Sequence, residues 1–160
     1  MGNNSKRRTL WGVGILTFLL ALSSCTKGVD GPEDPRSRLQ EYISKSFNSK
    51  TDGDRKELLE YLTGEARARL ASWSGEQFRQ AFLDSKRQFL KLSFRELKKI
   101  SDHEVSITYE LMYMDQAKGR DAKVSNRKLA QLLHENGKWY IAEVRNIKEL
   151  IEYQNEMALP

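Results

Sequence analysis

The spacing of apolar residues changes once along the chain, and the change separates a helical half from a sheet half. Asp34-Pro35 suits an N-cap and first helical turn, and Leu39, Tyr42, Ile43 and Phe47 follow at helical spacing, predicting a helix from about residue 35 to 47. After the polar loop from Asn48 to Gly53, Leu58, Leu59 and Leu62 form a short second stripe, and Ala66, Leu70 and Trp73 a third. Ser74-Gly75-Glu76-Gln77 fits a capping box, with Phe78, Ala81, Phe82 and Ser85 on one face of the helix it opens.

Near residue 88 the period drops to two. Leu90, Leu92 and Phe94 alternate with Lys91, Ser93 and Arg95, and Val105, Ile107, Tyr109, Leu111 and Tyr113 alternate with polar residues and methionines. Two antiparallel strands follow, joined by a turn at Ser101 to Glu104; Leu97 falls out of phase, which points to a bulge. A third strand, from about Val124 to Glu135, meets a fourth, from Lys138 to Arg145, across Asn136-Gly137. That dipeptide favours the left-handed backbone of a two-residue hairpin turn, and the register it sets puts His134 opposite Trp139, Leu133 opposite Tyr140 and Leu132 opposite Ile141. Ile147, Leu150 and Ile151 return to helical spacing and point to a short terminal helix.

Ahead of this domain lies a segment of different grammar. Lys6, Arg7 and Arg8 precede an uncharged run of 13 residues, Leu10 to Leu22, followed by Ser23 and Ser24. As a helix that run would reach about 20 Å, short of a hydrocarbon core of roughly 30 Å, so a cleaved signal peptide fits better than a permanent span. Leu22-Ser23-Ser24-Cys25 resembles the lipobox of bacterial lipoproteins. The resemblance implies that Leu22, Ser23 and Ser24 are read by the signal peptidase and that Cys25 carries diacylglyceryl as the first mature residue. Two or three acyl chains, at about 0.8 kcal/mol per buried CH₂, make such an anchor effectively permanent. Arg7-Arg8-Thr9-Leu10-Trp11 also resembles a weak twin-arginine signal, but without a cofactor motif to require folded export the general secretory route is expected. Residues 26–36, rich in Gly, Pro and charge, read as a tether. Thr26 stands where inner-membrane lipoproteins carry Asp, so the resemblance implies the outer membrane, facing the periplasm, in a host that has one.

The whole chain, at 160 residues and +5, has the size of one domain plus appendages. The charge is misleading: without Lys6, Arg7 and Arg8, 24 basic residues face 22 acidic ones, a net +2, and a global argument for nucleic-acid binding fails. The single cysteine, Cys25, excludes an intramolecular disulfide. The expected organisation is signal peptide 1–24, lipidated Cys and tether 25–36, an α+β domain 37–146, and a short helix or extension 147–160.

Helices followed by a four-stranded antiparallel meander, closed by Gly137-Lys138-Trp139-Tyr140-Ile141, are similar to the nuclear transport factor 2-like cone fold. The resemblance implies N-terminal helices packed on a curved sheet; a cystatin-like sheet around one helix is the alternative. It also implies a cavity between sheet and helices, for which Tyr109, Tyr113 and Trp139 are candidate lining residues, although aromatics on strands more often pack a core.

Candidate chemistry is sparse. His103 lies in the Asp102-His103-Glu104 turn, where a solvated turn is the plainer reading than a metal site, and His134 reads as a packing partner of Trp139. No Ser-His-Asp order, Gly-rich phosphate loop or spaced ligand set occurs, so no enzyme, metal or cofactor is expected. The connection Gln116 to Lys128 carries Lys118, Arg120, Lys123, Arg127 and Lys128 against one acid, a candidate basic contact patch or simply a charged strand edge. The expectation is a membrane-anchored envelope lipoprotein whose domain recruits or braces another envelope protein and binds no nucleic acid. The alternative is a small-ligand binder using the cavity, with an isomerase- or dehydratase-like enzyme a third class. Cys25→Ser is expected to abolish metabolic acyl labelling and to leave unprocessed precursor; normal labelling of that variant would refute the lipidation site.

Overall fold

A computed structural model describes residues 34–153; the expected signal peptide, Leu22, Ser23, Ser24, Cys25 and most of the expected tether lie outside the described residues. Four short helices come first: α1 (Pro35–Asn48), α2 (Asp54–Leu59), α3 (Gly64–Ser72) and α4 (Gly75–Phe78), the last running into a π-helical turn, Arg79–Leu83. Four long strands follow, β1 (Arg87–Ser101), β2 (Glu104–Asp115), β3 (Ala122–Glu135) and β4 (Lys138–Tyr153), in one antiparallel sheet of order β1-β2-β3-β4. The fold is α+β, with the helices on the concave face of a curved sheet.

Local chemistry sets the helix starts. Arg36 donates its backbone N–H to Asp34 Oδ1 at 3.1 Å, and Pro35 occupies the first turn, where its missing N–H costs nothing. Pro35 and Arg36 are therefore helical, although the composition groups them with the expected tether. At α4 the capping box forms: Gln77 N–H donates to Ser74 Oγ at 3.1 Å and Ser74 N–H to Gln77 Oε1 at 2.8 Å.

The sheet is organised by strict alternation in its two inner strands. Val105, Ile107, Tyr109, Leu111 and Tyr113 of β2 and Ala122, Val124, Asn126, Ala130 and Leu132 of β3 are buried on one face. Asn136 (φ 52°) and Gly137 (φ 81°) both adopt the left-handed backbone, and His134 pairs with Trp139, Leu133 with Tyr140 and Leu132 with Ile141, the register expected. Three register shifts bend β1; the one between Phe94 and Glu96 returns Leu97 to the core face opposite Ile107. Helices α1 to α4 cover one half of the concave face, where Leu39, Leu58, Phe78, Ile107, Leu132 and Ile141 are fully buried.

The expected terminal helix is a strand. β4 continues unbroken to Tyr153, paired with β3 as far as Ala122, so β3 also begins earlier than Val124. The misleading spacing has a specific cause: a bulge between Arg127 and Lys128 leaves Ile147 without a partner and shifts the phase of the residues beyond it. Ile151 then faces inward opposite Val124 while Leu150 pairs with Ser125 on the outer face, and two interrupted alternations read as one helical stripe. Replacing Leu132 by Ala, which opens a cavity at a fully buried centre, is expected to lower stability by about 2–5 kcal/mol in urea denaturation.

Candidate ligand groove and the polar half of the concave face

Along the concave face, apolar pairings give way to polar ones. Where the helices lie, Ala130 and Leu132 of β3 meet Ile107 and Val105 of β2. Further along, Lys128 pairs with Tyr109, Asn126 with Leu111 and Glu149, and Arg87 with Asp115. Asn126 donates from Nδ2 to the Tyr113 hydroxyl at 3.1 Å, while its Oδ1 is buried without a partner among the described residues. Glu149 accepts from Lys118 Nζ at 2.5 Å, and chiefly for that reason its carboxyl is held below the usual range. Lys128 is held below the usual amine value first by burial and next by the neighbouring charge of Arg87, against a weaker pull from Glu149.

Beside this polar half, α1 and the first half of β1 stand apart and leave a groove of about 800 Å³. Ile43 and Phe47 form the helix wall, and Phe89, Leu92 and Phe94 the strand wall. Phe47 meets Phe89 edge-on at 5.7 Å and Tyr113 at the same separation. Arg87 stands where the groove meets the polar half, its guanidinium 5.6 Å from the Phe47 ring and 5.9 Å from that of Tyr113. Among the described residues, the charges lining the groove are those of Arg87 and Lys91, and no carboxylate lines it. A smaller cavity of about 120 Å³, bounded by Tyr42, Leu70 and Trp73 among others, lies under the helices, and burial there pushes the Tyr42 hydroxyl up to about 12.

The residues singled out in the sequence are dispersed. Tyr109 is buried in the core, where burial raises its hydroxyl pKa, and Trp139 sits at the far end of the sheet against His134, ring centroids 4.9 Å apart. Only Tyr113, whose hydroxyl is likewise raised by burial, reaches the margin of the groove, through Phe47 and Arg87. Tyr109, Tyr113 and Trp139 therefore do not line one pocket. Nor do the five basic residues form one patch. Lys123 pairs with Glu152 at 3.4 Å, Arg127 with Glu110 at 2.6 Å and Lys118 with Glu149, all in cross-strand or turn contacts; Arg120 is exposed in the turn, and Lys128 points to the concave face. Glu110 also accepts from Arg95, so the outer face carries a small ion network.

His103 and His134 stack at 6.3 Å, with His134 Nε2 buried and unpartnered, at the end of β1 opposite to the groove. Among the described residues no three His, Cys, Asp or Glu side chains converge as a metal site. No described helix is long and apolar enough to cross a membrane. Arg87 carries no signal in the sequence beyond its place at the start of a strand. Lys128 reads as part of a basic loop by composition, although the alternation Val124, Asn126, Lys128, Ala130, Leu132 puts it on the core face.

No protein-family model matches the chain, and no curated protein matches it. The chain is similar to a solved structure, the solution structure of a SEC-C motif containing protein from Rhodopseudomonas palustris, at 19% identity and a TM-score of 0.49, covering 77% of this chain and 84% of that one.

The Lys128 amine generates a pH prediction. Unfolded, it titrates near its ordinary value of 10.5; folded, it titrates lower, so below that range the unfolded state holds the proton more tightly and the buried cation costs stability. The cost fades as pH rises through the folded value. Lys128→Met is thus expected to be more stable than the parent at pH 7 and to lose that advantage as pH approaches about 10.5, read by urea denaturation across the range; an advantage independent of pH would contradict it.

Proposed function

We propose that the protein is a membrane-anchored, non-enzymatic binding lipoprotein of the cell envelope that takes a small ligand into the groove between α1 and β1. The observation that carries this reading is the groove itself: at about 800 Å³ it falls within the roughly 300–1,000 Å³ of ligand pockets, and aromatic and aliphatic side chains alternate with polar ones on both of its walls. A curved sheet cupping helices supports a nuclear transport factor 2-like cone over the cystatin-like alternative, since several helices and not one pack on the concave face. The anchor rests on the charged, apolar and small-residue order that ends at Cys25. The non-enzymatic reading rests on the missing catalytic motifs and on the distance of both histidines from the groove.

One observation favours the scaffolding alternative. The outer edge of β4 is covered at Ile141 by Tyr61 to Thr63, where Thr63 N–H donates to the Ile141 carbonyl and Ile141 N–H to the Tyr61 carbonyl, both at 2.9 Å. Further on, Ile147 and Leu150 are exposed, an apolar stretch that a protein partner would cover. Native mass spectrometry of the full-length lipoprotein, released from mild detergent, decides between them. The parent is expected to retain a non-protein mass that Ser44→Trp, whose indole would obstruct the groove from the α1 wall, does not. Ligand-free spectra for both, with in-membrane crosslinks from Leu150 to one partner, would overturn the small-ligand reading in favour of the scaffold.

A further inference from the structure

Resting on the reading of the groove as a ligand site, we propose that its ligand is an amphipathic anion, an oxyanion head seated on Arg87 with an aliphatic chain lying between α1 and β1. Arg87 Nη2 donates to the Ala81 carbonyl, but its Nε is buried with no acceptor among the described residues. Among the described residues it forms no salt bridge: the carboxylate opposite it in register, Asp115, accepts the Ala117 N–H at 3.2 Å instead. A partly buried guanidinium with an unspent donor matches the paired oxygens of a carboxylate or phosphate, which its fork binds more strongly than any neutral acceptor.

The surroundings have the same sign. Lys128 adds a second cation to this end of the concave face, and the carboxylate that acts on Lys128, Glu149, is already committed to Lys118. An arriving anion would relieve two neighbouring cations whose charges oppose each other. Beyond Arg87 the groove alternates apolar side chains with Gln40, Ser44, Gln88 and Lys91, and Phe89 and Leu90 are each 43% exposed, so a hydrocarbon chain laid along its apolar positions removes surface that the protein itself leaves in water. An extended peptide is the poorer occupant. Register shifts at Phe89/Lys91 and Phe94/Glu96 interrupt the edge of β1 on which an added strand would have to form its ladder.

The test is photolabelling of the full-length protein in mild detergent with three diazirine probes of one chain length: a fatty carboxylate, a lysophosphatidate and a fatty alcohol. Peptides of α1 and β1 are expected to be labelled by an anionic probe about tenfold more than by the alcohol. The carboxylate leading would identify a free fatty acid, and the lysophosphatidate a lipid headgroup. Arg87→Met is expected to reduce anion labelling to the level of the alcohol. Should that variant lose its thermal transition, Arg87→Lys, which keeps the charge but not the fork, is expected to label less than the parent. Equal labelling by acid and alcohol, or undiminished labelling of folded Arg87→Met, overturns the anion assignment while leaving the groove as a site. No groove labelling by any probe, together with ligand-free native spectra, overturns the groove reading as well.

Discussion

The register of the β3–β4 hairpin governs everything on the concave face. Side chains alternate along a strand, so a slip of one residue would carry Leu132 and Ile141 to solvent and bring Leu133 and Tyr140 into the core. Asn136 and Gly137 prevent it, because both accept the left-handed backbone that a two-residue turn compatible with strand twist requires. With that pairing held, β3 presents Leu132 and Ala130 to the helices and Lys128 and Asn126 to the open half. The hydrophobic core and the polar hollow are consecutive stretches of the same strand face.

That continuity makes the polar half informative. An inward position on an inner strand is where an apolar residue would stabilise most, yet Asn126 and Lys128 occupy two in succession, with a buried unpaired Oδ1 and a partly desolvated amine. Consistency across levels is the ordinary condition of a folded sequence, and departures concentrate where function requires them. Here the departure lies beside a groove that exposes aromatic and aliphatic side chains, Phe89 and Leu90 among them, so the uncompensated polarity and the exposed apolar surface are neighbours.

Much of the fold was legible because its signals are short-range. The Ser74 capping box, the Asp34-Pro35 start, the alternation of β2 and the Asn136-Gly137 turn each depend on residues a few positions apart, and each formed as expected. The end of β4 was not legible, since its phase depends on a bulge opposite Arg127 and Lys128, some twenty residues away in sequence and visible only once the strands pair. The groove was harder still. Phe47 and Phe89 come from opposite halves of the chain, and nothing local to Arg87 reveals that its guanidinium lies over Phe47 and Tyr113. The basic run after Gln116 misled for the same reason: its charges were visible, but Glu110, Glu149 and Glu152, which neutralise three of them, arrive from other strands.

The proposed anchor and the proposed site constrain each other. A protein held to a bilayer by acyl chains on Cys25 through some ten tether residues stays within a short reach of the lipid surface, where amphipathic anions are concentrated and free in water only at low levels. A groove that exposed the same apolar surface on a freely diffusing protein would invite association with other proteins or with membranes at large. Tethering as proposed would remove that penalty, because the domain would reside where the proposed ligand does, and a modest affinity would then suffice for occupancy through effective concentration. The bulged, interrupted edge of β1 belongs to the same arrangement. It lets a chain without hydrogen-bonding groups lie against the strand while denying a continuous ladder to any passing peptide.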